Sequence, residues 1–185
     1  MMKKESKMKN VSIIVLFMVT VILASPGAGA QGLSIDNPGY TTAIGLRGGD
    51  LGGLTIKHFT SEERAIEAIV GIGFRDPRLF SLTVLLERHT PAFNVSGMRW
   101  YYGGGGHVAL VGSRSGYIRR PWFGERYYYE GGAFGLGIDG IVGLEYKIPP
   151  IPFAISIDIK PYIEVFSPGG VIWSLDPALG IKVTF

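Results

Sequence analysis

Three histidines, His58, His89 and His107, are the first places to look for acid–base chemistry, because an imidazole titrates near neutral pH. Nucleophilic catalysis would need one of them beside a hydroxyl and an orienting carboxylate. His58 falls on the outward side of a short alternating segment, and His89 falls in a connection. His107 falls on a polar strand face, with Ser113 and Ser115 beyond it. This spacing converges no Ser/His/acid set, so catalysis is not the expected chemistry; a lipid-modifying enzyme is the enzymatic alternative. Gly103 to Gly106 could cradle a phosphate only if a helix N-terminus followed. No helical period follows, and the four glycines read as a weakened or bent strand with room for a long neighbouring side chain. Cysteine is absent, which excludes disulfides and thiolate metal sites. No metal and no cofactor are expected.

The stretch from Gly112 to Gly131 has binding character. It holds Arg114, Tyr117, Arg119, Arg120, Trp122, Phe123, Arg126 and Tyr127 to Tyr129, opposed by Glu125 and Glu130. Guanidinium forks match phosphate oxygens, and aromatics supply rigid contact area. The stretch reads either as a contact for a phosphorylated glycolipid such as lipopolysaccharide, or as an aromatic girdle with a solvated loop.

Positioning such residues requires strands. Eight segments alternate apolar and polar residues with period two: Tyr40 to Gly48, Leu54 to Phe59, Ala65 to Phe74, Phe80 to Glu87, Met98 to Val111, Phe134 to Tyr146, Phe153 to Val165 and Ala178 to Phe185. Charges interrupt one face of these strands: Arg47, Lys57, Arg99, Lys160 and Lys182 against Glu67, Glu87, Asp139, Glu145, Asp158 and Glu164, with His107 as a further partner. Bulky aliphatics occupy the other face. Connections 60–64, 89–96 and 147–152 fall on one side of the sheet, and 49–53, 75–79, 112–131 and 166–176 on the other.

Residues 1–30 have a different character. Lys3, Lys4, Lys7 and Lys9 precede an uncharged apolar run from Val11 to Ala24, and Ala28 and Ala30 supply the small residues of a cleavage site. The run is 14 residues, short of the ~20 that a spanning helix needs. An export signal over 1–30, a lead-in over 31–39 and a barrel over 40–185 are expected. Of the 18 Lys and Arg and 15 Asp and Glu, four Lys and Glu5 lie before residue 31, leaving 14 of each sign. The basic pI of about 9.1 therefore belongs to the signal, and the usual inference of a nucleic-acid partner fails.

Alternation alone also suits a soluble periplasmic β-sandwich that binds a ligand. Two features favour a membrane barrel: charges at strand centres, and aromatics near strand ends, among them Tyr40, Phe74, Phe80, Trp100, Tyr101, Phe134, Phe153 and Phe166. The last segment, with Leu179, Ile181, Val183 and Phe185, resembles the insertion signal of bacterial outer-membrane proteins. The whole segment set resembles the small eight-stranded barrels of the OmpX and OmpW type. The resemblance implies an antiparallel up-and-down barrel integral to the bacterial outer membrane, assembled by the barrel-assembly machinery and monomeric. It implies outer-membrane lipid, and lipopolysaccharide at the outer loops, as partners. An eight-stranded barrel is just wide enough for side chains to fill it. The charged set is thus expected to form a paired network plugging the lumen, with a narrow solute channel as the alternative.

Overall fold

Period-two alternation folds as it reads. The computed structural model describes residues 39–73, 79–112, 116–119, 126–129, 132–167 and 169–185, with 116–119 and 126–129 described as backbone. Ten strands follow: β1 Thr42–Gly48, β2 Leu51–Phe59, β3 Arg64–Gly73, β4 Leu79–Pro91, β5 Met98–Val111, β6 Gly116–Arg119, β7 Arg126–Tyr129, β8 Ala133–Ile148, β9 Phe153–Ser167 and β10 Val171–Thr184. Eight close into one antiparallel barrel in the order β1-β10-β9-β8-β5-β4-β3-β2, and β6 pairs with β7 in a separate hairpin. Every barrel neighbour is a sequence neighbour except where the hairpin intervenes and where β10 meets β1.

The register fixes the stagger. Starting at Ile44, the pairs run Ile56, Ala68, Val84, Gly106, Ile138, Ile163 and Trp173. Extrapolated past its last pair, Gly48 with Leu179, the β1–β10 register would bring Trp173 level with a point ten residues on from Ile44. Such a stagger tilts the strands, and eight of them enclose an interior just wide enough for side chains to fill.

Several strands are longer than their alternation suggests. β2 begins at Leu51, so its connection to β1 shrinks to Gly49 and Asp50. β4 continues to Pro91, which moves His89 out of the expected connection and into the lumen, where it is fully buried. The expected connection 166–176 is mostly strand, because β10 begins at Val171 and runs through Pro177. Proline is tolerated there for a geometric reason. The last β1 pair is Gly48 with Leu179, so Pro177 lies past the end of β1 and its missing N–H costs no ladder bond. Pro161 does cost one: the β8–β9 ladder passes from Asp139–Tyr162 to Val142–Ile159 without pairing at Gly140 and Ile141.

Inside and outside are inverted relative to a water-soluble domain. Outward faces of all eight barrel strands carry exposed aliphatics, from Ile44 and Leu46 on β1 to Leu179, Ile181 and Val183 on β10. The exposed aromatics Phe80, Trp100, Phe134, Phe153 and Phe185 sit near strand ends. Three expected girdle residues do the opposite. Tyr101 and Phe166 are buried inside because each falls on the inward phase of its segment; Tyr40, in phase with the outward Ile44 and Leu46, precedes β1 and is buried outside that strand's alternation. The signal segment with Ala28 and Ala30, most of the lead-in, Phe74, Arg114, Arg120, Trp122 and Phe123 lie outside the described residues.

Candidate functional site

The lumen is where the sequence concentrates its charge. Buried there, among the described residues, are Arg47, Lys57, Arg99, Lys160 and Lys182, and Glu67, Glu87, Asp139, Glu145, Asp158, Glu164 and Asp176. Every expected network member, His107 included, faces inward.

At the end that carries Thr42 and Thr184, the ammonium of Lys57 is the hub. It lies 2.8 Å from Glu87, 3.1 Å from Glu67 and 3.3 Å from Glu145. Lys182 bridges two of the same carboxylates, Glu67 at 3.2 Å and Glu145 at 3.3 Å. Neutral donors complete the set. Thr55 donates to Glu67, the Tyr40 hydroxyl donates to Glu145, and His89 Nε2 lies 3.0 Å from Glu87. Burial, and then the Glu145 carboxylate, hold the Tyr40 phenol above its ordinary range, so it remains a donor. A chain of ring contacts backs the cluster: Tyr40 meets Phe59 edge-to-face, Phe59 tilts against His89, and His89 stacks on Tyr101. The Tyr101 ring also lies 4.2 Å from the Lys57 ammonium.

A second cluster sits further along the barrel. Arg47 donates to Asp158 at 2.5 Å and to Asp176 at 2.7 Å, tying β1 to β9 and β10. The Asp50 N–H donates to Asp176 at 2.7 Å, fixing the β1–β2 turn on the same carboxylate. Asp139 joins Lys160 at 2.6 Å and His107 Nδ1 at 2.6 Å, and His107 Nε2 is 3.6 Å from Glu164. Tyr101 links the clusters by donating to Asp158 at 3.1 Å. Arg99 donates to the Glu62 carbonyl at 2.8 Å.

The lumen also holds apolar side chains. Ile69, Leu85, Tyr101 and Ile141 pack as one layer, and at the far end Leu51, Leu79, Ala109, Val111, Phe166 and Ile172 pack as another. Alternation assigns the lumen its charged set; the two apolar clusters add to it. Ile69, Leu85 and Ile141 sit on the inward phase of strands whose outward phase is also aliphatic, so composition conceals them.

Glycine positions follow from these side chains. A Cβ on Gly143 would overlap the Tyr101 ring. The expectation that Gly103 to Gly106 leaves room for a long side chain needs amending. A Cβ on Gly103 or Gly105 would strike the carbonyl oxygens of Leu86 and Val84, so these two admit the β4 backbone. Gly143→Val should displace Tyr101 from Asp158 and Lys57 and cost about 1–3 kcal/mol by overpacking. Urea unfolding of the refolded barrel measures that cost, and wild-type stability would rule the packing account out.

The residues that sequence reasoning missed are Tyr40, Thr55, His89, Tyr101 and Asp176. Asp176 had a signal: Ser174 and Asp176 alternate with Trp173 and Leu175 on the N-terminal side of Pro177. The histidines stand apart from one another: His58 pairs with Thr42 at 2.9 Å on the exposed face, whereas His89 and His107 sit in different lumen clusters. Among the described residues, no group of three or more His, Asp or Glu has the geometry of a metal site.

Fold and site together define a small, closed, eight-stranded antiparallel barrel with a charge-paired interior and an aliphatic exterior. Compared with known proteins, the chain matches no family model, no curated protein and no solved structure.

Proposed function

We propose that this chain is an integral outer-membrane β-barrel with a sealed lumen, serving as a rigid mount for the connections at its far end. The observation that carries the reading is the inversion of polarity. Among the described residues, 31 large hydrophobic side chains are exposed, 27 of them on the eight barrel strands, while 12 charged side chains are buried within. In water such a band would far exceed the few hundred Å² of apolar patch that a monomeric protein carries. In a bilayer it is the required surface, and closure satisfies every strand edge. The resemblance of Leu179, Ile181, Val183 and Phe185 to an insertion signal, and the basic, apolar and small-residue order of residues 1–30, agree with that destination.

Sealing follows from the lumen contents. Opposite charges meet at 2.5–3.3 Å within the clusters, and Ile69, Leu85, Tyr101 and Ile141 pack into the same lumen. An ion would have to break buried pairs and pass these packed side chains, with no single-sign ring among the described residues to draw it in. The protein should fractionate with outer membrane, migrate differently on gels before and after boiling, and give no steady conductance in planar bilayers. Recovery in a soluble fraction would refute the membrane assignment; reproducible open channels would refute the seal.

A further inference from the structure

The lumen cluster at the Thr42 and Thr184 end sets three carboxyls against two ammoniums. Lys57 touches Glu67, Glu87 and Glu145, and Lys182 touches Glu67 and Glu145. The other partners in contact are the Thr55 and Tyr40 hydroxyls and the His89 imidazole. The Tyr101 ring faces Lys57, with its hydroxyl given to Asp158. Arg99, opposite Glu145 in the β5–β8 register, donates to the Glu62 carbonyl at 2.8 Å. Two of the acids also meet each other. Glu67 pairs with Leu85, and Ala65 pairs with Glu87, so Glu67 and Glu87 are diagonal neighbours on the inward face of β3 and β4. Their carboxyls stand in hydrogen-bonding contact. Ionised carboxylates are acceptors only, so two of them hold no hydrogen to share. Like charges at such a separation do not both stay ionised. A separate observation points the same way. The Glu87 side chain is fully buried, and its Oε1 has no hydrogen-bond partner among the described residues. A bare carboxylate oxygen away from water is costly, and a proton removes the charge that makes it so.

We propose that Glu67 and Glu87 form a proton-binding site in the lumen, the two carboxyls sharing one proton. The proton supplies the hydrogen that their contact requires. It also leaves two negative charges facing the two ammoniums of Lys57 and Lys182. The proton belongs to the pair and to neither residue alone. Its loss puts an uncompensated charge inside the barrel. Folding therefore takes up a proton, because both side chains are ionised in the unfolded chain at neutral pH. A folded state that holds the extra proton loses stability as pH rises. The unfolding constant grows by up to about tenfold per pH unit until the pair gives its proton up.

The test uses the full chain folded in a zwitterionic detergent, so it does not depend on membrane insertion, which fractionation reads separately. Urea unfolding is followed between about pH 6 and pH 8 for wild type and Glu87→Gln. Glutamine keeps the shape of the side chain, and its amide donates to Glu67 without a titrating proton. Other groups that titrate in this range are common to both proteins, so the difference between their slopes is the readout. The wild-type unfolding constant should rise more steeply, by up to about tenfold more per pH unit. Infrared spectra give a second readout that requires no unfolding. Wild type at about pH 8 should retain the C=O stretch of a protonated carboxyl, and Glu87→Gln and Glu67→Gln should both lack it. Should one variant fail to fold, the wild-type spectrum and the other variant decide the question. Equal pH slopes, a wild-type spectrum without the acid stretch, or an acid stretch that persists in a folded variant overturns the proposal.

Discussion

Lys57→Met is expected to destabilise the barrel by about 3–5 kcal/mol, the cost of breaking a buried ion pair from one side. Lys57 is fully buried, and its ammonium sits within 3.3 Å of three carboxylates. Without it, Lys182 still bridges Glu67 and Glu145, but Glu87 is left with the imidazole of His89 and the carboxyl of Glu67 and with no cation bridging it. Methionine conserves most of the volume, so the loss isolates charge from packing. The second substitution makes the argument specific: Lys57→Met with Glu87→Gln should recover a substantial part of the loss, because the carboxylate that lost its cation is gone. Urea titration of protein refolded into phospholipid vesicles, followed by the gel shift between folded and boiled forms, reads both variants. A Lys57→Met barrel within about 1 kcal/mol of wild type would show that the hub carries no net stabilisation. Equal destabilisation of the single and double variants would show that the cost is steric.

Lys57 was legible in the sequence because it stands alone as a charge on the alternating segment Leu54 to Phe59. The same signal found Arg47, Glu67, Glu87, Asp139, Glu145, Asp158, Lys160, Glu164 and Lys182, and all of them are buried in the lumen. A charge on a strict period-two pattern has only two sides to choose from, and the aliphatics occupy one. The method failed where the pattern was punctuated. The stretch 166–176 read as a connection on its Gly169–Gly170 turn signal, although β10 begins at Val171; Asp176 was lost with it. The alternating segment ended at Glu87, short of the end of β4 at Pro91, which misplaced His89. Aromatics failed differently. Tyr40, Tyr101 and Phe166 lie near strand ends, as girdle residues do, but depth along a strand does not decide side. Phase does for Tyr101 and Phe166, which are in phase with lumen residues, whereas Tyr40 precedes β1 and escapes its alternation. Partner choice was illegible where closure of the sheet makes it, as between Lys57 on β2 and Glu145 on β8, whereas Lys57 and Glu67 face each other on neighbouring strands.

Phase also supplies the sharpest test of the outside. Ile159 lies at the centre of the outward series from Phe153 to Val165, opposite Val142 and Pro177, and is exposed. With Trp100, Leu144, Ile157 and Leu179 it lines an apolar groove of about 690 Å³ on the outer wall. Ile159→Arg should cost about 2–4 kcal/mol in phospholipid vesicles, the penalty for a guanidinium at the bilayer midplane. Val171→Arg, at the far-end start of β10, should cost only about 0–1 kcal/mol, because there the charge reaches the interface. Both sites are exposed, so in water each substitution would change stability by no more than about 0.5 kcal/mol, and no gradient would appear. The paired measurement therefore asks what solvent the outer wall meets without invoking any partner. Equal, small effects at the two positions would return the chain to a soluble class despite its closed sheet. A steep difference between them requires hydrocarbon around the middle of the barrel, because strand pairing and the lumen contacts are common to both variants.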